Sequence, residues 1–213
     1  MLSLDQILLF SAASLVLAFT PGPDIIYVLT RGVAQGRTAA LAAAAGFSLG
    51  NIFHTLAAAL GLSALIMSSA WAFQVIKLCG AAYLIWIGFQ ILRSSPLDMA
   101  QTNTGGKRDL KAPGVIFRQS IIANVLNPKV AVFFLAFFPQ FIVEGNGPVP
   151  IQMGLLGLNF ILVAFASFSF VALASGSLHA WLSCKPAFSR RINAVAGSVL
   201  IGLGLRLAWP EKM

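Results

Sequence analysis

The chain has 213 residues, 58% of them hydrophobic and only 9% charged, with a mean hydropathy of +0.87. Soluble domains carry about 25% charged residues, so this composition excludes a water-covered globule, and the length of the apolar runs excludes an outer-membrane barrel built from alternating segments of about ten residues. The formal net charge of +8 comes with no basic helix or interleaved aromatic patch, which argues against nucleic acid and for a basic bias of cytoplasmic loops.

Six apolar spans follow in chain order: Leu4–Leu29, Thr38–Ser63, Ala70–Leu92, Arg118–Val143, Ile151–Ser175 and Ile192–Trp209. Each is long enough to cross ~30 Å of hydrocarbon at about 1.5 Å per residue. The first begins almost at Met1, lacks a basic leader and runs into a Pro-Gly-Pro break, so no cleavable signal is expected. The one extended polar stretch, Ser94–Pro113, divides the spans three and three. The expected fold is an all-α integral membrane protein with six transmembrane helices. They form one domain over 1–213, as two inverted three-helix halves (1–93 and 118–213) joined by a cytoplasmic loop over 94–117. Two cysteines, Cys79 and Cys184, match no CxxC or metal spacing and read as small packing residues. No metal or other cofactor is expected.

Loop charge sets the orientation. The first connection carries Arg31 and Arg37. The third carries Arg93, Lys107, Arg108, Lys111 and Arg118 against Asp98 and Asp109, and the fifth carries Lys185, Arg190 and Arg191. The second (64–69) is uncharged and the fourth has only Glu144. Basic connections stay in the cytoplasm, so both termini are expected outside it. The run Leu84-Ile85-Trp86-Ile87-Gly88 near the end of span three parallels Leu200-Ile201-Gly202-Leu203-Gly204 near the end of span six. With three spans per half, the halves cross in opposite senses, the plan of many secondary transporters.

Spans one and four are interrupted by Thr20-Pro21-Gly22-Pro23-Asp24 and by Asn124-Val125-Leu126-Asn127-Pro128-Lys129. Proline removes a backbone donor and unlatches carbonyls that lipid cannot satisfy, so such breaks survive only where protein or a wet cavity covers them. The expected broken helices are therefore the first and the fourth. Apart from Asp5 at the very start of the first span, Asp24 is the only carboxylate inside a span; it serves either as an N-cap-like group at the interface or as a proton relay or ammonium partner. Lys129 lies about 16 Å past Arg118 if helical. It is expected to pair with Asp24, to pair with carbonyls freed by Pro128, or to receive a substrate carboxylate. Asn124 and Asn127 add donors and acceptors at the same depth. Gly46, Gly50 and His54 share one helix face suited to close packing, with His54 either a hydrogen-bonded packing residue or a proton carrier. Lys77 is expected to snorkel outward or line an external vestibule. Gly46-Phe47-Ser48-Leu49-Gly50 matches the GxSxG elbow of serine hydrolases, but that elbow needs a strand-to-helix turn and this run reads as helix.

Together these segments resemble the LysE/RhtB family of bacterial amino-acid exporters. The resemblance is carried by Pro21-Gly22-Pro23-Asp24, the Gly46/Gly50/His54 helix, Gly80-Ala81-Ala82-Tyr83-Leu84 with Gly88, and Asn127-Pro128-Lys129 with Phe133-Phe134 and Phe138-Pro139-Gln140-Phe141. It covers nearly the whole chain. It implies efflux of an amino acid or derivative across the inner membrane, driven by the proton-motive force, and no enzymatic role. It also implies a substrate and proton path through Pro21, Gly22, Pro23, Asp24, His54, Asn124, Asn127, Pro128 and Lys129. The implied partners are a small amino-acid substrate, protons and the bilayer, and glycine-rich faces would permit a homodimer. The alternatives are a passive small-solute channel and, more remotely, an intramembrane serine hydrolase.

Overall fold

The structure, a computed structural model, describes residues 2–62, 70–93, 110–143, 145–184 and 186–209. The expected loop over 94–117 is thus described only from 110 onward, and the second connection and Glu144 lie outside the described residues. Among those described, every regular element is a helix.

Helix α1 (Leu4–Phe19) opens on a capping box: Gln6 N donates to Ser3 Oγ at 3.3 Å and Ser3 N donates to Gln6 Oε1 at 2.9 Å. It stops at Thr20 because Pro21 has no N–H for the carbonyl of Leu17. Helix α2 (Pro23–Gln35) restarts with Pro23 at its first position, bent 57° from α1. Gly36, at φ 87°, closes α2 in a conformation that favours glycine. Helix α3 (Arg37–Ala57) follows at once and ends in a π-helical turn, Ala58–Leu62. Helix α4 is Ala70–Arg93. Helix α5 (Pro113–Val125) and the short α6 (Pro128–Val132) repeat the proline restart, and α6 continues through a π turn (Phe133–Phe137) and a 3₁₀ turn (Phe138–Phe141). The bend there is 47°. Helices α7 (Val149–Cys184) and α8 (Pro186–Ala208) complete the chain.

Among the described residues, four helical segments are long and apolar enough to cross a membrane alone, and the bent pairs α1–α2 and α5–α6 raise this to six. The broken first and fourth spans stand as expected. The helices outrun the apolar spans: α2 continues past Leu29, α5 starts before Arg118 and α7 extends beyond Ser175. Hydropathy bounds the stretch inside hydrocarbon, whereas helical hydrogen bonding continues into water until a proline or glycine ends it.

Helix α3 is the central post, packed on α2, α5 and α7, while α4 and α8 form a second tight pair. A Cβ at Gly88 would lie 2.7 Å from both Gly197 O and Ile201 Cγ1; one at Gly204 would lie 2.8 Å from Ala81 O and 2.7 Å from Ile85 Cγ1. Gly88 corresponds to Gly204, Ala81 to Gly197 and Ile85 to Ile201. The antiparallel pair therefore makes one contact twice, at the residues whose sequence runs resemble each other.

The core is aromatic. Phe10, Phe133, Phe134, Phe138 and Phe160 pack edge to face or tilted, and Phe134 and Phe138 stack at 4.0 Å. Trp71 and Trp209 are both largely exposed, at the start of α4 and just beyond α8, where interfacial tryptophans belong. Two expectations are corrected. Cys79 faces outward instead of packing inside, because the packed stripe of α4 is taken by Gly80, Ala81 and Leu84. Lys77 is buried on the same side as that stripe, one turn before Gly80, instead of reaching outward. The side chain of Cys184 lies outside the described residues.

Candidate functional site

The two breaks meet in the middle of the bundle. Pro23 and Pro128 each occupy the first position of the restarting helix, so Asp24 and Lys129 fall at the same position of α2 and α6 with opposite charge. Both side chains are buried. Asn127 caps α6: its Oδ1 accepts from Lys129 N at 3.0 Å, and its Nδ2 donates to Asp24 Oδ1. Asp24 also sits in the first turn of α2, where the helix dipole favours an anion.

Each proline leaves one carbonyl without its helical donor, and each is served from across the site. Pro21 offers no N–H to Leu17, and Lys129 Nζ donates to Leu17 O at 3.4 Å and to Thr20 O at 3.3 Å. Pro128 offers none to Asn124, and the ring of His54 meets Asn124 O at 3.0 Å through Nε2. A carbonyl only accepts, so Nε2 carries the proton. Lys129 thus neither caps its own break nor takes Asp24 as its hydrogen-bond partner. A cation at the N-terminus of α6 opposes the dipole there and is favoured at the C-terminus of α1. Gly22 is glycine for the same reason, since a Cβ there would sit 2.9 Å from Lys129 Nζ.

Between the breaks is a small cavity with buried walls, lined by Asp24, Lys129, Asn51 and Asn124, with Leu17, Phe160 and Phe168 among its apolar residues. It leaves about 10 Å³ for the centre of a water-sized sphere, room for about one water molecule. Of the expected path residues, Asp24, Asn124 and Lys129 line it. Pro21, Gly22, Pro23, Asn127 and Pro128 shape and brace the two breaks around it, and His54 reaches it only through the backbone of Asn124. Sequence reasoning passed over Asn51, Phe160 and Phe168. An amide one residue past Gly50 and one turn before His54, inside an apolar span, was the available signal for Asn51. The aromatics carry no signal that separates them from ordinary core.

One side of this cavity is tied shut. Tyr27 Oη donates to Gln119 Oε1 at 3.3 Å, and Lys111 Nζ donates to the same oxygen at 3.4 Å. Gln35 Nε2 donates to Lys111 O at 3.1 Å, and Arg31 donates to Gln35 at 2.6 Å while lying 5.0 Å over the Tyr27 ring. Tyr27 packs edge to face on Phe47, and Phe47 on Phe168 of the cavity wall. These groups lie at the basic end of the molecule. Gln35 ties the first basic connection to the third, Gly32 abuts Ser175 of α7, and Gly197, beyond Arg190 and Arg191, abuts Leu92. Ser48 of the GxSxG match is buried in unbroken α3, its hydroxyl given to Ala44 O at 2.7 Å. It therefore has neither the sharp turn nor the exposure of a nucleophile elbow.

The family "LysE type translocator" matches residues 15–210. A homoserine/homoserine lactone efflux protein of Salmonella typhimurium is 33% identical over 199 residues, 92% of this chain and 92% of that protein, and a Salmonella typhi protein of the same description is 33% identical over the same share. A Vibrio cholerae protein described as an uncharacterized membrane protein is 32% identical over 203 residues, 94% of this chain and 95% of its own length. No solved structure matches.

Proposed function

The chain belongs to the LysE type translocator family, and on that premise we propose that it exports an amino acid or a close derivative from the bacterial cytoplasm, held between the two helix breaks. The observation that carries this reading is the small cavity with one buried carboxylate and one buried ammonium at matching positions of two proline-restarted helices. Those are the complements of a zwitterion. Asp24 receives the cargo ammonium, and Lys129, released from Leu17 and Thr20, receives the carboxylate together with the N-terminus of α6. The relatives described as homoserine/homoserine lactone efflux proteins make homoserine the first cargo to test.

The cavity as it stands admits a water and no amino acid, so the cargo enters only when the breaks separate. Parting the Tyr27–Gln119–Lys111 tie opens the basic end, which is the cytoplasmic side, and both termini then lie in the periplasm. The doubled α4–α8 contact supports two halves related by a pseudo-twofold axis and rocking against each other. Protons entering from outside neutralise Asp24 and reset the carrier. The energetic scale suffices, since one charge moved through 100 mV supplies about 2.3 kcal/mol, roughly a fortyfold gradient.

The test is release of labelled homoserine, threonine, leucine and lysine from proteoliposomes, with and without an imposed pH gradient. Saturable, gradient-dependent release that is lost in Asp24→Asn, with the variant still inserted, is expected. Release that neither saturates nor responds to the gradient would mark a passive channel, and normal release by Asp24→Asn would remove that carboxylate from the mechanism.

A further inference from the structure

Asp24 and Lys129 have hydrogen-bond partners at the cavity, but the two amides beside them are left with unmatched atoms. Asn51 Nδ2 donates to Phe47 O at 3.2 Å, which leaves Asn51 Oδ1 without a partner. Both Asn124 Nδ2 and Asn124 Oδ1 are also without one. The two residues are about 1% exposed and both line the cavity, on α3 and α5, facing a wall that includes Phe160 and Phe168. The room is kept open by Gly50, where a Cβ would come within 2.6 Å of Asn124 Oδ1. A buried amide atom left unmatched bears the whole desolvation cost of that group. Three such atoms around one cavity are a demand for a ligand that both donates and accepts.

We propose that Asn51 and Asn124 read the side chain of the cargo, selecting a short neutral hydroxyl group; this rests on the export reading above. A hydroxyl has one donor and two acceptor sites. It gives its proton to Asn51 Oδ1 and accepts from Asn124 Nδ2, and its short carbon stem lies against Phe160 and Phe168. A methyl group of the same size satisfies neither amide. A ring ester accepts but cannot donate, so it leaves Asn51 Oδ1 bare, and closing the ring removes the carboxylate that Lys129 would receive. A cationic side chain would need a second carboxylate, and Asp24, the only acidic side chain lining the cavity among the described residues, is already assigned to the α-ammonium. The open-chain hydroxy amino acid is therefore preferred over both its methyl isostere and its lactone. Sites built around a hydroxyl reject the analogue lacking it far more strongly than apolar pockets discriminate by size.

The experiment measures half-saturating concentrations for homoserine, homoserine lactone and norvaline, which replaces the hydroxyl by methyl, in proteoliposomes of the whole protein. The wild type is expected to favour homoserine over norvaline at least tenfold and to carry the lactone less well than homoserine. Asn51→Leu is expected to bring that ratio below threefold while norvaline is still carried, and Asn124→Leu to do the same. A wild-type ratio within threefold overturns the proposal without needing any variant to fold, as does an unchanged ratio in an inserted Asn51→Leu. If the cargo moves without this discrimination, the inference alone fails. If no amino acid moves at all, the export reading fails and takes the inference with it.

Discussion

Replacing Gly50 by alanine places a methyl carbon 2.6 Å from Asn124 Oδ1, 2.7 Å from its Cβ and 2.9 Å from its Cγ. Rotating the amide relieves the first and third contacts but not the second, because the Cβ of Asn124 is fixed to the α5 backbone. To reach an ordinary contact of about 3.4 Å, α3 and α5 must part by roughly 0.7 Å along that line, a small-to-large strain of about 1–3 kcal/mol. The same separation loosens the 3.0 Å hydrogen bond from His54 to Asn124 O and shifts one wall of the cavity. Alanine also gains about 1 kcal/mol of helix propensity over glycine, so the comparison needs a control. Gly202→Ala, on the exposed face of α8 with nothing within 4 Å, gains the propensity without the strain. Thermal unfolding in one detergent should place Gly50→Ala about 1–3 kcal/mol below Gly202→Ala, and liposome export should fall in the first variant only. Equal unfolding temperatures together with equal export would refute the claim that this glycine sets the α3–α5 separation.

Other substitutions probe the remaining contacts. His54→Leu removes one of the two donors to Asn124 O, the other being Asn127 N, and should cost about 0.5–1.5 kcal/mol in thermal unfolding. His54→Gln, which keeps an N–H, should recover most of the stability and the export; retained stability with lost export would assign the ring to proton transfer instead. Gly88→Ala and Gly204→Ala meet corresponding atoms at nearly equal distances, so their losses of stability should agree within about 0.5 kcal/mol, and a large inequality would contradict the pseudo-twofold reading. Gln119→Ala deletes the oxygen shared by Tyr27 and Lys111. These exposed bonds total about 1 kcal/mol, so labelling of a cysteine placed at Ala164, from the basic side and with Cys79 and Cys184 replaced, should rise about fivefold. No increase would show that the tie does not hold that side closed.

The exchange of partners between the breaks gives the closed state its cohesion. Lys129 belongs to the second break and serves the first; His54 lies on α3 of the first half and serves the second. Separating the halves must therefore strip the Lys129 ammonium of its two carbonyls and Asn124 O of its imidazole partner together. Such a rearrangement is expected to be cooperative, and it is favourable only when water or cargo takes over those groups.

What the chain determined locally was legible from its order of residues. Nine per cent charge and six apolar runs required lipid as solvent, and Pro23 and Pro128 required helix restarts, because a missing N–H acts on a carbonyl four residues away whatever surrounds it. Ser3 and Gln6 wrote the first cap, and Gly36 the turn into α3. The repeat seen as Leu84–Gly88 and Leu200–Gly204 resurfaced as one contact made twice. Which cation serves which carbonyl was not legible. The sequence offers Lys129 three partners, Asp24, the carbonyls freed by Pro128 or a substrate carboxylate, and only the packing of α6 beside the end of α1 brings Leu17 and Thr20 within its reach. Asn51 became a site residue only when α3 and α5 closed over Gly50 and left its oxygen without a partner. Lys77 and Cys79 exchanged their expected environments because which face of α4 is covered depends on α8, more than a hundred residues away. Missing donors and apolar length act within a turn or a span, whereas the partner of a buried polar group is whatever the fold brings across the bundle to meet it.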